Sequence, residues 1–222
     1  MCLLCLINKL PQTAYCERGN SSGFFVEPIN VFTSFAFLIA GFFANRLLKN
    51  KGIKSKELLI LPWFLAVTGI GSFIYHTARN SITLIFDAVP TFLFLLYVLF
   101  LILKQLFGNK IKAFVALIGF ICLEIASSIF LPKDSLNGSI AHIATIIFAI
   151  LLGWLLIKRY GSRVKLLIIC LISLYVVAVF FRSIDLWICQ FIPIGTHFLW
   201  HILAASVGYL AISLISKVKT KS

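Results

Sequence analysis

The stretch ITLIFDAVPTFLFLLYVLFLIL, residues 82–103, decides the fold. It contains a single charged residue, Asp87, and it has the length of about 20 residues that a helix needs to cross the hydrocarbon core of a bilayer. The stretch lacks the regular alternation of apolar and polar residues that is typical of a strand in a membrane barrel. Because lipid tolerates only helices and closed barrels, we predict that residues 82–103 form a transmembrane helix.

Six more apolar runs flank this one, and together they predict an all-α integral membrane bundle of seven transmembrane helices. The composition agrees, since the chain is 61% hydrophobic and only 12% charged, a balance that does not suit a water-soluble domain. One domain covering residues 1–222 is expected. The predicted spans are 29–47, 58–76, 82–103, 112–131, 138–157, 164–181 and 194–215.

The distribution of basic residues predicts how the bundle is oriented. Of the 20 Lys and Arg residues, 15 follow spans one, three, five and seven, and 5 lie on the other side. Short cytoplasmic loops are rich in Lys and Arg, so the N-terminus is predicted to be outside and the C-terminus cytoplasmic. The net charge of +13 therefore reflects membrane topology, and it does not indicate nucleic-acid binding.

A small group of ionisable residues lies within the spans, where charge is costly and usually has a partner or a function. His197 and His201 are four residues apart in span seven, so their imidazoles project from one helix face about one turn apart. His76 ends span two, with Ser72 one turn before it, and Asp87 lies early in span three. The predicted topology puts all of them near the outer ends of their helices, where they can converge.

Three imidazoles with a fourth position left to water form the ligand set of a hydrolytic zinc centre. We therefore predict that His76, His197 and His201 bind Zn²⁺. Asp87 is the predicted catalytic base, which takes a proton from the water and passes it to a leaving amine. Ser72 is predicted to donate a hydrogen bond to the developing oxyanion or to complete the surroundings of the metal.

Other polar residues in or near the spans are predicted to have supporting roles. We interpret His142 in span five as a hydrogen-bonded contact between helices. Asn30 on span one can bond a neighbouring helix or a metal ligand from the second coordination shell. Arg182 and Asp185, three residues apart in the last outer connection, are expected to form a solvated ion pair.

Four short motifs resemble the alkaline ceramidase family. They are GSFIYH at 71–76, which is followed by Asp87, HFLWH at 197–201, YCE at 15–17 and EPIN at 27–30. More broadly, they resemble the superfamily of seven-helix membrane hydrolases that includes the adiponectin and progestin receptors. The motifs span nearly the whole chain.

The resemblance, to a bacterial-type member of the family, implies a zinc-dependent amidase. Such an enzyme cleaves the N-acyl bond of ceramide-like lipids with a water activated by the metal, and releases a sphingoid base and a fatty acid. The matching positions give the ligand roles to His76, His197 and His201. They place Asp87 near the water and Ser72 close to the metal.

The N-terminal segment departs from the family pattern. Eukaryotic ceramidases have an Asp-Trp-Cys-Glu stretch that helps to bind calcium, whereas this chain has Ala14 in the first position. Glu17, Asn20 and Glu27 still offer oxygens for a second metal, Ca²⁺, although such a site needs about six to eight of them. The alternative is a salt link from Glu17 or Glu27 to Arg18 or Arg182.

Two other classes of function compete with the hydrolase. One is a receptor-like or lipid-binding seven-helix membrane protein with a structural metal, but a structural zinc normally has four protein ligands and only three histidines are expected to converge here. The other is a transporter or proton channel, which paired interrupted helices in two halves of the sequence would favour. The sequence has no such halves, so we rank this class last.

The predicted partners are the lipid amide substrate and membrane lipids, and the sequence indicates no obligate protein partner. Short connections suggest the inner membrane of a bacterium, with the site toward the periplasmic leaflet. Cys16 and Cys189 both lie on the predicted outer side. An oxidising compartment there would allow a disulfide between the N-terminal segment and the connection before span seven.

Overall fold

The computed structural model describes residues 15–21, 23–132 and 135–219, and within these ranges its regular structure is helical, with no strand. Seven of the helices formed by these residues are long and apolar enough to cross a membrane. They are α1 (Pro28–Asn50), α2 (Lys56–Ala78), α3 (Ser81–Phe107), α4 (Lys110–Phe130), α5 (Ser139–Tyr160), α6 (Ser162–Ile188) and α7 (His197–Val218). The predicted all-α fold with seven spans is therefore confirmed. Ala14, which the sequence analysis names, lies outside the described ranges.

The ends of α6 and α7 differ from the sequence prediction. Helix α6 continues to Ile188 rather than ending at 181, so that Arg182 and Asp185 belong to the helix and not to a loop. The charged residues suggested that the helix ends before them. In the structure, backbone N–H groups outside α6 stabilise the carboxylate of Asp185 by hydrogen bonds. Helix α7 starts at His197 because the chain turns at Gly195, whose φ of +65° suits glycine.

Helices α2 and α3 form a closely packed hairpin. Asn80 caps α3, because its side chain accepts a hydrogen bond from the backbone N–H of Thr83 at 2.9 Å, and the Thr83 hydroxyl accepts one from the N–H of Asn80. Further along, the backbone of Phe86 lies so close to Gly71 that a Cβ on this glycine would overlap the Phe86 carbonyl. Pro90 lacks the N–H that would otherwise bond this carbonyl within α3.

The last helix packs beside the first. Helix α7 lies mainly against α1 and α6 and also touches α2 and α3, so that the first and last helices meet. Apolar side chains fill the half of the bundle that holds the C-terminal ends of α1, α3 and α7, including Leu48, Leu103, Ile212 and Ile215. The opposite half buries polar groups, including Glu27, Asn30, Ser72, His76, Asp185, His197 and His201.

Candidate metal centre

The histidines of α2 and α7 meet in the polar half of the bundle. One ligand atom from each of His76, His197 and His201 lies within 4.8 Å of the others, and the side chains are buried. Within the described part of the chain, Nε2 of His76 and Nδ1 of His197 have no hydrogen-bond partner. A buried polar atom without a partner is costly. These imidazoles therefore fit a metal, and the group could hold one.

Hydrogen bonds to the outer ring nitrogens orient two of the imidazoles. Nδ1 of His76 lies 2.5 Å from Oε2 of Glu27. An ionised carboxylate only accepts hydrogen bonds, so Nδ1 carries the proton and Nε2 keeps its lone pair. Nδ1 of His201 lies 2.9 Å from the hydroxyl of Thr33, which donates its own proton to the carbonyl of Ile29 at 2.8 Å. Nε2 of His201 is therefore free to bind a metal as well.

Glu27 is a buried carboxylate held by two arginines. Its side chain is 0% exposed, its Oε1 is paired with Nε of Arg18, and Nη1 of Arg79 lies 2.9 Å from the same oxygen. Burial alone would raise the pKa of Glu27, but the hydrogen bonds from His76 and Arg18 and the charge of Arg79 lower it to about 2. The salt link to Arg18, the alternative to a calcium ligand, is therefore present.

The other residues proposed for calcium have different surroundings. Glu17 accepts hydrogen bonds from the backbone N–H groups of Ile29 and Asn30, at 2.6 and 2.9 Å, and so caps the start of α1. Burial raises the pKa of Glu17 and these hydrogen bonds partly offset that rise. Asn20 is exposed. The oxygens of Glu17 and Glu27 are thus engaged by N–H donors, and calcium binding here stays a prediction.

The side chain of Asn30 contacts the carboxylate that orients His76. It is fully buried, and its Nδ2 donates a hydrogen bond to Oε2 of Glu27 at 3.3 Å. The same oxygen contacts His76. The side chain of Asn30 is thus linked to His76 through Glu27, and its support of a metal ligand stays a prediction.

Asp185 is not part of a solvated ion pair, and that prediction is wrong. Its side chain is 0% exposed, and its Oδ1 accepts hydrogen bonds from the backbone N–H groups of Thr196 at 2.6 Å and His197 at 2.9 Å. A carboxylate at this position caps α7 and complements its dipole. Asp185 thus fixes the start of the helix that carries His197 and His201. The spacing to Arg182 misled the prediction because the true partners lie in other segments.

The N-terminal segment packs against the histidines and is held there by a disulfide. The structure joins Cys16 to Cys189 in a disulfide, which confirms that hypothesis. The backbone N–H of Cys16 also donates to Asp185 at 3.0 Å. Next to it, the ring of Tyr15 stacks on His197 with 3.8 Å between centroids, and the guanidinium carbon of Arg79 lies 4.5 Å from the Tyr15 ring centroid. These contacts exclude water from one side of the centre.

A cavity of about 550 Å³ reaches the histidine group, and both Tyr15 and His201 line it. Its walls include Ser72, Asp87 and His201 at the polar end. The Ser72 hydroxyl accepts a hydrogen bond from Ser34 at 3.1 Å and lies within hydrogen-bonding reach of the Asp87 carboxylate. Farther from the histidines the walls are apolar, with side chains such as Leu99, Ile102, Leu152, Leu156, Ile168 and Leu214. The carboxylate of Asp87 and the hydroxyl of Ser72 therefore lie with the candidate ligand His201 at the polar end of a largely apolar cavity.

The fourth histidine of the chain belongs to a different part of the cavity wall. Nδ1 of His142 lies 2.8 Å from the hydroxyl of Tyr175, so the predicted contact between helices is confirmed. Its ring also lies 5.0 Å from that of Trp200. Among the described residues, the group that could hold a metal does not include His142.

We expect Gly71→Ala to reduce both stability and activity. The new Cβ would overlap the Phe86 carbonyl, so α3 must move away from α2 and carry Asp87 with it. Overpacking of this kind costs about 1–3 kcal/mol. Gly119→Ala on α4 is the matched control, because a Cβ there meets nothing within 4 Å. Thermal unfolding and amide hydrolysis would be measured for both variants, and equal behaviour would contradict the proposed close contact.

Glu27→Gln is expected to weaken both the fold and metal binding. The substitution leaves the buried charges of Arg18 and Arg79 uncompensated, which costs about 3–5 kcal/mol. It also leaves a single amide oxygen where two carboxylate oxygens accept hydrogen bonds from the arginines and His76, so that His76 is less firmly oriented. Loss of such an orienting partner lowers metal affinity roughly 10–100-fold. Glu57→Gln is the control, since its ion pair with Lys104 is partly exposed and contributes about 0–1 kcal/mol. Unfolding midpoints and metal titrations would show whether the two substitutions differ.

Comparison with known proteins agrees with this geometry. A family model described as Ceramidase matches residues 11–222, nearly the whole chain. No curated protein matches the chain. The matched region contains all of the histidines, Asp87, Ser72 and the N-terminal segment that covers them. The chain belongs to the ceramidase family.

Proposed function

We propose that this protein is a zinc-dependent intramembrane hydrolase that cleaves the amide bond of ceramide-like N-acyl lipids. Membership of the ceramidase family supports a ceramide-hydrolysing function. The observation that carries the zinc dependence is the buried group of His76, His197 and His201, whose ligand atoms lie within 4.8 Å of one another. A zinc ion with three protein nitrogens and one open position is characteristic of a catalytic site.

The residues beside the histidines supply the remaining chemistry. A zinc ion held by His76, His197 and His201 would polarise the amide carbonyl and lower the pKa of a water molecule to about 7. Asp87 takes a proton from the water as its oxygen bonds to the carbonyl carbon. Asp87 then gives the proton to the nitrogen as the C–N bond breaks, which yields a fatty acid and an amine. Ser72 donates a hydrogen bond to the oxyanion that develops on the carbonyl oxygen.

The cavity fits a lipid with a long acyl chain. Its volume of about 550 Å³ lies in the range of about 300–1,000 Å³ that is usual for ligand sites. The polar end holds the groups that act on the amide, and the apolar end offers a dry environment for hydrocarbon. We therefore propose that the acyl chain extends from the histidines along α3, α5, α6 and α7.

We further propose that the helices form one membrane domain with the N-terminus outside, the C-terminus cytoplasmic and the site toward the outer leaflet. The excess of Lys and Arg on one side supports this orientation. The disulfide between Cys16 and Cys189 lies near the histidines, and disulfides persist in oxidising compartments. For a bacterial protein, the corresponding location is the inner membrane with the site facing the periplasm.

The function is tested by measuring zinc per purified chain together with fatty-acid release from a panel of N-acyl sphingolipids and matching esters. We expect about one zinc per chain, amide cleavage that chelation abolishes, and recovery when zinc is added back. Bound zinc without cleavage of any lipid would instead favour a lipid-binding protein with a structural metal. Amide cleavage by protein that contains no metal would refute the zinc mechanism.

A further inference from the structure

Arg182 lies in the wall of the cavity and forms no ion pair with another residue that the structure describes. It lines the cavity from α6, and its guanidinium carbon lies 5.3 Å from the ring centroid of Trp200. Its Nε is buried and has no hydrogen-bond partner in the described part of the chain. The ion pairs formed by the described residues involve Glu27 and Glu57 and not Arg182.

The acids near Arg182 have hydrogen-bond partners elsewhere, and Asp87 on α3 has the hydroxyl of Ser72 as its partner. Asp185, one turn further along α6, accepts hydrogen bonds from backbone N–H groups. Glu124 on α4 accepts a hydrogen bond from Thr145 at 2.7 Å. Arg182 is partly buried, and a buried N–H such as that of its Nε is destabilising when it has no hydrogen-bond acceptor. The pairing partner of Arg182 is therefore expected to come from outside the chain, as an anion that enters the cavity.

The shape of the guanidinium indicates the chemistry of this anion. Arginine presents a rigid fork of N–H donors that matches the two oxygens of a carboxylate. Farther from the histidines the cavity wall is apolar, with Leu152, Leu156 and Ile168 among its side chains. A carboxylate attached to a long hydrocarbon chain complements both the guanidinium and the apolar wall.

Amide hydrolysis produces such a molecule inside the cavity. Trp200, which Arg182 faces, is the residue before His201 and lies one turn after His197. Arg182, Asp87 and His201 all line the same cavity. We propose that Arg182 binds the carboxylate of the long-chain fatty acid released by cleavage, at a position beside the metal ligands. This inference rests on the proposed hydrolase function.

Direct binding of product analogues tests the proposal. Palmitic acid and hexadecanol would be titrated against purified protein in lipid nanodiscs, above the pKa of the acid and after chelation, so that no metal ion contributes positive charge. We expect wild type to bind the acid more tightly than the alcohol. In Arg182→Gln the affinity for the acid should fall roughly 10–100-fold, with the affinity for the alcohol unchanged. Arg182→Lys should retain part of the preference.

Arg159→Gln is the matched control, because that guanidinium lies 5.8 Å from the ring of Tyr160 and does not line the cavity. Its binding of palmitic acid should equal that of wild type. Equal affinity of wild type for acid and alcohol would overturn the proposal, and so would a parallel loss of both ligands in Arg182→Gln. The first of these comparisons uses wild type alone and does not depend on the folding of a variant.

An anionic lipid headgroup offers related chemistry, and a further arm separates it from the product. Ceramide and ceramide phosphate would be compared as ligands of wild type and Arg182→Gln. A preference for the phosphate that depends on Arg182, without a preference for palmitic acid, would assign the residue to the headgroup and refute the product site. Arg182-dependent binding of palmitic acid in a protein that cleaves no amide would support the carboxylate site and reject the hydrolase function alone.

Discussion

Replacing His197 with alanine is expected to abolish both metal binding and amide hydrolysis. Only His76 and His201 of the group would remain, and two imidazoles do not complete a zinc site. Without the Lewis acid, we expect hydrolysis to fall by a factor on the order of 10⁶ or more, to the background rate. The cap on α7 should survive, since Asp185 bonds the backbone N–H of residue 197 and not its side chain.

His142→Ala is the matched control for this experiment. It also removes a buried imidazole from the cavity region, but this imidazole bonds Tyr175 and lies outside the candidate metal group. Metal analysis and fatty-acid release would be measured for both variants beside wild type. The assignment of the ligands fails if His197→Ala keeps its zinc, or if His142→Ala loses it to the same extent.

Asp87→Asn is expected to reduce turnover by about 10²–10⁴-fold with little change in metal content. The amide has the same shape as the carboxylate and can still contact Ser72, but it cannot accept the proton of the attacking water. The effect should therefore appear in kcat, whereas binding of a non-hydrolysable lipid analogue stays close to that of wild type.

Glu124→Gln separates a catalytic role of Asp87 from a general need for negative charge. Glu124 lines the same cavity, but its carboxylate accepts a hydrogen bond from Thr145 and lies outside the histidine group. We expect this variant to retain most of the wild-type turnover. If Asp87→Asn were as active as Glu124→Gln, the water would need a different base.

Local patterns in the sequence predicted the membrane helices and the histidine group. Hydrophobic length identifies a span without any knowledge of its neighbours, and the spacing of His197 and His201 places both on one face of one helix. The position of His76 followed from helix direction, because the basic connections fixed which ends of the helices lie together. The same reasoning placed Cys16 and Cys189 on the same side of the membrane, and the structure joins them in a disulfide.

The residues that the sequence did not reveal act through contacts between distant segments. Asp185 looked like the partner of Arg182, but it bonds the backbone at residues 16, 196 and 197. Thr33 has no distinguishing feature in the sequence, although its hydroxyl orients His201. Gly71 is one of 13 glycines, and only the three-dimensional approach of Phe86 shows why its lack of a side chain matters.

The packing of the last helix against the first has a consequence for how the protein is made. Glu27, Arg18, Arg79 and His76 all belong to the first part of the chain to leave the ribosome, so their charges can pair as soon as α1 and α2 are inserted. His197 and His201 are translated more than 100 residues later. A nascent chain therefore carries a neutralised polar cluster but no complete ligand set. The group of histidines that could hold a metal is complete only when translation is nearly finished and α7 has packed against α1 and α6.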